Sequence, residues 1–191
     1  AGGTIAKLVE QGTNVFYFAF STAEKSVPTG FPKDVLKTEV LEATTMLGIP
    51  EENVFIYDYQ VRKLNSSRQE ILEDLIRHKN EKLPDLVLMP SLKDIHQDHT
   101  TIANEGLRAF KETTILGYEL IWNNLTFDTT SFVKLNRNHI EKKANALSAY
   151  KSQTSKDYMS KEFIFSLAKA RGVQIGADYA ESFEVIRWVI S

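Results

Sequence analysis

Leu86-Val87-Leu88-Met89 runs directly into Pro90-Ser91-Leu92-Lys93-Asp94-Ile95-His96-Gln97-Asp98-His99. The first four residues are a short, uninterrupted apolar run, the pattern of a strand buried on both faces of a parallel sheet. The following ten form a loop that carries two of the chain's 4 histidines together with carboxylates. In open α/β sheets ligands bind at the carboxyl ends of the strands. Imidazole and carboxylate offered together at such a place point to metal-assisted chemistry. The H-x-D-H spacing is a weak motif alone, and its position after a strand gives it weight.

Outward from this stretch, strands and helices alternate. Residues 15–20 and 54–57 are apolar runs that predict strands, and 114–120, 132–135 and 183–190 follow. Between them, Leu36, Val40, Ala43 and Leu47 repeat at helical spacing and stop at Gly48 and Pro50. Ser67 with Glu70 predicts a capping box for a helix that buries Ile71, Leu72, Leu75 and Ile76. Ile102, Gly106 and Phe110 mark the helix after the histidine loop. Asn138 with Glu141 predicts the cap of a helix bearing Ile140, Ala144 and Leu147, and residues 163–170 form another, ending near Gly172. The β-α-β-α order predicts a Rossmann-like, doubly wound, mostly parallel sheet, with a C-terminal α/β appendage, in a single domain over residues 1–191.

Composition narrows the function classes. With 191 residues, 42% hydrophobic and 25% charged, the chain can bury a sizeable core. A formal net charge of -2 leaves no basic footprint for nucleic acid. No run of about 18 apolar residues predicts a membrane span. The absence of cysteine excludes a disulfide framework, thiolate zinc ligands and a cysteine nucleophile, and fits a cytoplasmic protein. At the front, Ala1-Gly2-Gly3 opens directly into a helix over residues 4–11. In a doubly wound domain a Gly-rich turn follows the central first strand, so a strand is expected before Ala1.

Taken in order, several segments resemble the LmbE/PIG-L family of zinc-dependent N-acetylglucosaminyl deacetylases. They are Ala1-Gly2-Gly3-Thr4-Ile5-Ala6-Lys7-Leu8, the helix end Leu47-Gly48-Ile49, Pro84-Asp85-Leu86-Val87 leading to His96-x-Asp98-His99, Ala149-Tyr150-Lys151-Ser152-Gln153, and Tyr179-Ala180-Glu181-Ser182-Phe183. The resemblance implies hydrolysis of the acetamide of an N-acetylated amino sugar, with Zn²⁺ as cofactor. It implies that His99 is a zinc ligand. The remaining His and Asp ligands and the carboxylate base belong to a His-Pro-Asp-Asp-Glu motif expected before Ala1. By the same resemblance His96 stabilises the oxyanion and donates a proton to the leaving amine. Asp98 orients an imidazole, a role that a helix cap would compete with.

Arg62 and Arg68 flank the loop after the strand ending at Asp58, where a guanidinium suits an anionic or hydroxyl-rich part of a substrate. An ion pair with Glu70 or Asp74 is the structural alternative. Trp122 and Asn123 suit stacking on a sugar and amide hydrogen bonding, against a core or interface role. His78 lies among Arg77, Lys79 and Lys82 and reads as solvated, His139 sits beside a helix cap, and Phe16, Phe18 and Phe20 read as core. The partner expected is a small amino-sugar molecule. The alternating residues 183–190, with Trp188, would pair with a second copy if they formed an edge strand. The competing functions are a metal-free Rossmann-like binding module and a metallohydrolase of another substrate class, such as phosphoesters.

Overall fold

The computed structural model describes residues 1–154 and 156–190. In chain order they form α1 (Gly2–Glu10), β1 (Tyr17–Ala19), α2 (Val35–Leu47), β2 (Val54–Ile56), α3 (Arg68–Lys82), β3 (Leu86–Pro90), α4 (Gln97–Ala109), β4 (Thr114–Tyr118), β5 (Ser131–Leu135), α5 (Arg137–Ser148), α6 (Lys161–Val173) and β6 (Tyr179–Arg187). The chain divides into two compact units, one of residues 1–61 and 132–181, the other of residues 62–131 and 182–191. Among the described residues no helix is long and apolar enough to cross a membrane.

In the first unit β1 and β2 pair in parallel, Tyr17 opposite Val54 and Ala19 opposite Ile56. Strand alternation sends Val15, Tyr17 and Val54 onto a core of Ala6, Ala43, Leu47, Ile49, Ala146 and Ala149. Phe18 and Phe20 face the other way and stack on Phe55 and Tyr57. They are half-buried rather than core, and the strand is shorter than the apolar run suggested. Gly48 closes α2 in the left-handed conformation at φ 86°, which places its N–H and that of Ile49 on the carbonyls of Thr45 and Thr44. A second cluster joins Leu135, Ile140, Ala144, Ile164 and Ala168.

Buried carboxylates tie this unit together. Glu181 accepts from Gly3 N at 3.3 Å, Thr4 N at 2.7 Å and Lys143 Nζ at 2.6 Å, closing two orphan N–H groups at the start of α1. Burial pushes its acid strength down, but the Lys143 ammonium and the hydrogen bonds from Lys143 and Thr4 outweigh burial and hold its pKa well below the usual carboxylate range. Glu39 accepts from Ser152 N at 2.8 Å and Ser152 Oγ at 2.7 Å, so the Ser152-Gln153 pair is a structural anchor onto α2. Asn136, not Asn138, caps α5. His139 takes the place of the expected glutamate, accepting from Asn136 N while its own N–H reaches Asn136 Oδ1.

In the second unit β3 and β4 pair in parallel from Leu86 opposite Thr114 to Pro90 opposite Tyr118. The later part of β6 runs antiparallel to β4, with Tyr118 opposite Phe183. A Cβ on Gly117 would lie 2.9 Å from Ser91 Cα, so only glycine lets β4 approach the point where the histidine loop begins. Helices α3 and α4 pack together. The fully buried Glu105 of α4 takes Arg68 Nε at 2.6 Å and Arg108 at 2.5 Å.

Four expectations are corrected here. Ser67 makes no side-chain cap, because a 3-10 turn over Leu64–Ser67 already leads the backbone into α3. His78 is buried, not solvated, and burial pushes its imidazole down. The terminal strand starts at Tyr179 and ends at Arg187, before Trp188. It is not an edge either: its first part adjoins β5 and its later part pairs with β4.

Two outcomes follow from the buried carboxylates. The depressed pKa of Glu181 means that its contribution is complete above about pH 4–5 and is lost as pH falls toward the lower folded value. Glu181→Gln should therefore flatten the acid limb of a stability-against-pH curve measured by urea titration. Glu105→Ala leaves two half-exposed guanidinium groups without their partner and should cost about 1–3 kcal/mol in the same assay.

Candidate functional site

The loop between β3 and α4 is built around Asp94, which is almost fully buried. Ser91 starts it. Its hydroxyl donates to Glu184 Oε2 at 2.6 Å and accepts from Lys93 N at 3.1 Å, and its carbonyl accepts from Asp94 N at 3.1 Å. Asp94 Oδ1 then accepts from His96 N at 2.8 Å, and Oδ2 lies 2.8 Å from His99 Nδ1. A carboxylate accepts only, so His99 is protonated at Nδ1 and its Nε2 carries the free lone pair. Burial pushes Asp94 up, but the hydrogen bonds from His99 and from the backbone of His96 outweigh it and hold Asp94 below its ordinary value.

His96 takes the opposite tautomer. It is the residue that caps α4, with backbone in the extended region and Nδ1 accepting from Asp98 N at 3.2 Å. A ring nitrogen that accepts an N–H is unprotonated, so the proton of a neutral His96 sits on Nε2. Burial pushes the imidazole down and the neighbouring His99 adds to this, against the opposing pull of Asp98 and Asp94. The two rings lie 4.6 Å apart, tilted by 31°. One short loop thus holds one imidazole as a donor and the other as an acceptor.

Asp98 meets an imidazole through its backbone N–H, not through its carboxylate. Its carboxylate accepts from Arg62 N at 2.6 Å and Leu64 N at 3.3 Å, fixing the turn after β2, in which Arg62 is left-handed at φ 68°. The orienting role falls to Asp94, because Asp98 sits in the first turn of α4 with its side chain directed to the 62–64 backbone. Asp94 was the residue missed by sequence reasoning. The signal was an aspartate five residues before His99, which no helical or strand period connects. Asn123 is buried beside it, its Nδ2 3.4 Å from Asp94 Oδ2 and 3.3 Å from His99 Nδ1. With Nδ1 already protonated, that amide donates to the carboxylate. Trp122 is exposed. Arg62 is exposed and close enough to His96 for its charge to be felt there. Arg68 is tied to Glu105 rather than to Glu70 or Asp74.

The His99–Asp94 pair has the chemistry of a metal-ligating imidazole, Nε2 free and Nδ1–H held by a carboxylate. It fits one ligand of a zinc centre. Among the described residues, no group of three or more His, Cys, Asp or Glu side chains is arranged to hold a metal ion.

The family model described as PIG-L, GlcNAc-PI de-N-acetylase, matches residues 1–110. A search of the curated proteins found no match. Among solved structures, the N,N'-diacetylchitobiose deacetylase from Pyrococcus horikoshii superimposes with a TM-score of 0.79 at 21% identity, over 97% of this chain and 77% of that one. A conserved protein from Thermus thermophilus gives a TM-score of 0.79 at 22% identity, over 100% of this chain and 89% of that one. The 4-carboxy-2-hydroxymuconate hydratase GalB from Pseudomonas putida gives 0.78 at 20% identity, over 100% and 91%. These likenesses establish a shared Rossmann-like α/β fold.

If Asp94 holds His99 as a ligand, Asp94→Asn should weaken zinc binding by about 10–100-fold. Competition against a chromophoric chelator measures this.

Proposed function

This chain belongs to the PIG-L family, and from that premise we propose that it is a zinc-dependent deacetylase that hydrolyses the acetamide of an N-acetylated amino sugar or its conjugate. The observation that carries the reading is the pair of oppositely protonated imidazoles, His99 oriented by Asp94 and His96 capped by Asp98 N. Metal-assisted amide hydrolysis uses a metal ligand and an oxyanion donor side by side.

His99 would hold the metal through Nε2. What zinc supplies when bound is a water of lowered pKa and a polarised acetamide carbonyl. Asp94 keeps the His99 ring in one tautomer and one orientation, and Asn123 keeps Asp94 in place. His96 presents Nε2–H as a neutral donor to the oxyanion. Burial and the occupied Nδ1 favour this role over that of an imidazolium that gives up a proton to the amine. Trp122 offers a face for the sugar ring. Arg62 offers a guanidinium to its hydroxyl or anionic substituents. Asp98 acts through the backbone it holds, setting where Arg62 projects.

The same fold in a hydratase is the reason to test the reaction itself. The full-length protein, loaded with zinc, should release acetate and free amine from some member of a panel of N-acetylated sugars. His99→Ala should abolish both zinc binding and release. His96→Ala should retain zinc and lose about 10²–10³ in kcat. Stoichiometric zinc with no acetate from any acetamide would overturn the deacetylase reading.

A further inference from the structure

The net charge of the chain hides an asymmetry. Residues 132–181 carry nine lysines and arginines against five aspartates and glutamates, while the remaining residues carry fourteen against twenty. Three of the nine meet around two aromatic rings. The Arg137 guanidinium lies 5.3 Å from the centroid of the Phe165 ring, and Lys161 Nζ lies 5.8 Å from the same centroid. Phe165 meets Tyr179 edge to face at 5.7 Å, and Lys169 Nζ lies 5.8 Å from the Tyr179 centroid. These contacts join the five side chains into one surface, all of it within the unit of residues 1–61 and 132–181. Both rings pack on the cluster of Leu135, Ile140, Ala144, Ile164 and Ala168, so the cations stand on a firm base.

Fold stability does not account for this placement. Arg137 is the first residue of α5 and Lys161 the first of α6, the end of a helix at which its dipole disfavours a cation. Lys161, Phe165 and Lys169 follow one another at four-residue spacing on one face of α6. Among the described residues Lys161 has no carboxylate partner, and Lys169 has only Asp178, at 3.9 Å and itself 91% exposed. Arg137 gives Nε to Glu141 at 2.9 Å, which leaves further N–H groups of the guanidinium to offer.

We propose that this row is a docking surface for an acidic polypeptide segment of a partner protein, bound in extended conformation. The proposal is independent of the deacetylase reading. Lys161 and Lys169 are separated by about 12 Å of helix. Acidic side chains at i and i+4 of an extended chain are about 13 Å apart, so one such segment meets both. A carboxylate also matches the forked donors of Arg137. Nucleic acid fits less well, because the two rings are half-buried and covered by the chain's own cations, which removes the free platform that stacked bases need. A membrane surface fits less well too: among the described residues, Val173 is the one large apolar side chain that α6 exposes, too little to insert.

The test is a fluorescence anisotropy titration of a fluorescein-labelled peptide of alternating glutamate and serine with the full-length protein. The same peptide with glutamine for glutamate is the control ligand. The expected results are binding of the acidic peptide alone, weakened at least about fivefold between roughly 50 and 300 mM salt. Lys161→Gln with Lys169→Gln should lower the affinity about five- to tenfold, and Lys161→Arg with Lys169→Arg should keep it. Both lysines are exposed, so circular dichroism should be unchanged in either pair. Lys25→Gln with Lys33→Gln, which removes as much charge from the exposed lysines of residues 21–34, should leave the affinity as it was. Equal loss in the two glutamine pairs would reduce the binding to overall charge and overturn the proposal. So would the absence of binding at low salt. Binding to phosphatidylserine vesicles or to single-stranded poly(dT), lost in Lys161→Gln with Lys169→Gln and without any binding of the peptide, would assign the row to a membrane or a nucleic acid instead. A salt-sensitive dimer by light scattering, lost in the same pair, would assign it to a second copy. Each of these would also overturn the proposal.

Discussion

A carboxylate taken out of water must have its lone pairs filled, and Asp94 is where that demand organises the molecule. Its two oxygens meet the backbone of His96, the ring of His99 and the amide of Asn123. Each of these partners is thereby fixed in orientation. The same contacts that make the burial of Asp94 tolerable choose the tautomer of His99 and bring the 120–125 loop against the histidine loop. Removing the charge would leave the loop's polar groups competing for water instead of facing one another.

The rest of the structure repeats the device. Glu181 closes the start of α1 and reaches Lys143 on α5. Glu39 anchors residues 151–153 onto α2, and Glu105 ties α3 to α4 through Arg68 and Arg108. In each case a buried acid is matched by N–H donors or a cation. These pairings specify which helix meets which segment, while the apolar clusters supply most of the stabilisation. Around the candidate site the arrangement has a functional reading as well. Ser91 and Glu184 hold the loop's first turn, Asp94 its middle, and Asp98 the neighbouring 62–64 turn, so the imidazoles stand on a frame with little freedom to tilt.

Much of the fold was legible in the residues. Leu36, Val40, Ala43 and Leu47 at helical spacing and Gly48 after them marked α2, and Leu86 to Met89 marked β3, because period and punctuation are local properties. Where competition among neighbours decided the outcome, reading failed. Ser67 and Glu70 match a capping box, yet the preceding 3-10 turn already leads the chain into α3. His78 sits between basic residues, yet the turn of the helix buries it. Arg68 has Glu70 and Asp74 close in sequence, yet its partner is Glu105, on the helix packed against its own.

By itself, the sequence determined that the chain is an α/β protein and that a histidine-rich loop follows an apolar strand, which the structure leaves half-buried over Leu86 to Leu88, since alternation and apolar runs are written residue by residue. It also carried enough of a family's pattern to name the chemistry expected there. Only the tertiary structure decided that Asp94 rather than Asp98 holds His99, that the two imidazoles carry their protons on opposite nitrogens, and that Asn123 is buried beside them. Those facts depend on where buried polar atoms find partners across segments that no sequence period relates, and a hydrogen bond is decided by geometry, not by proximity along the chain.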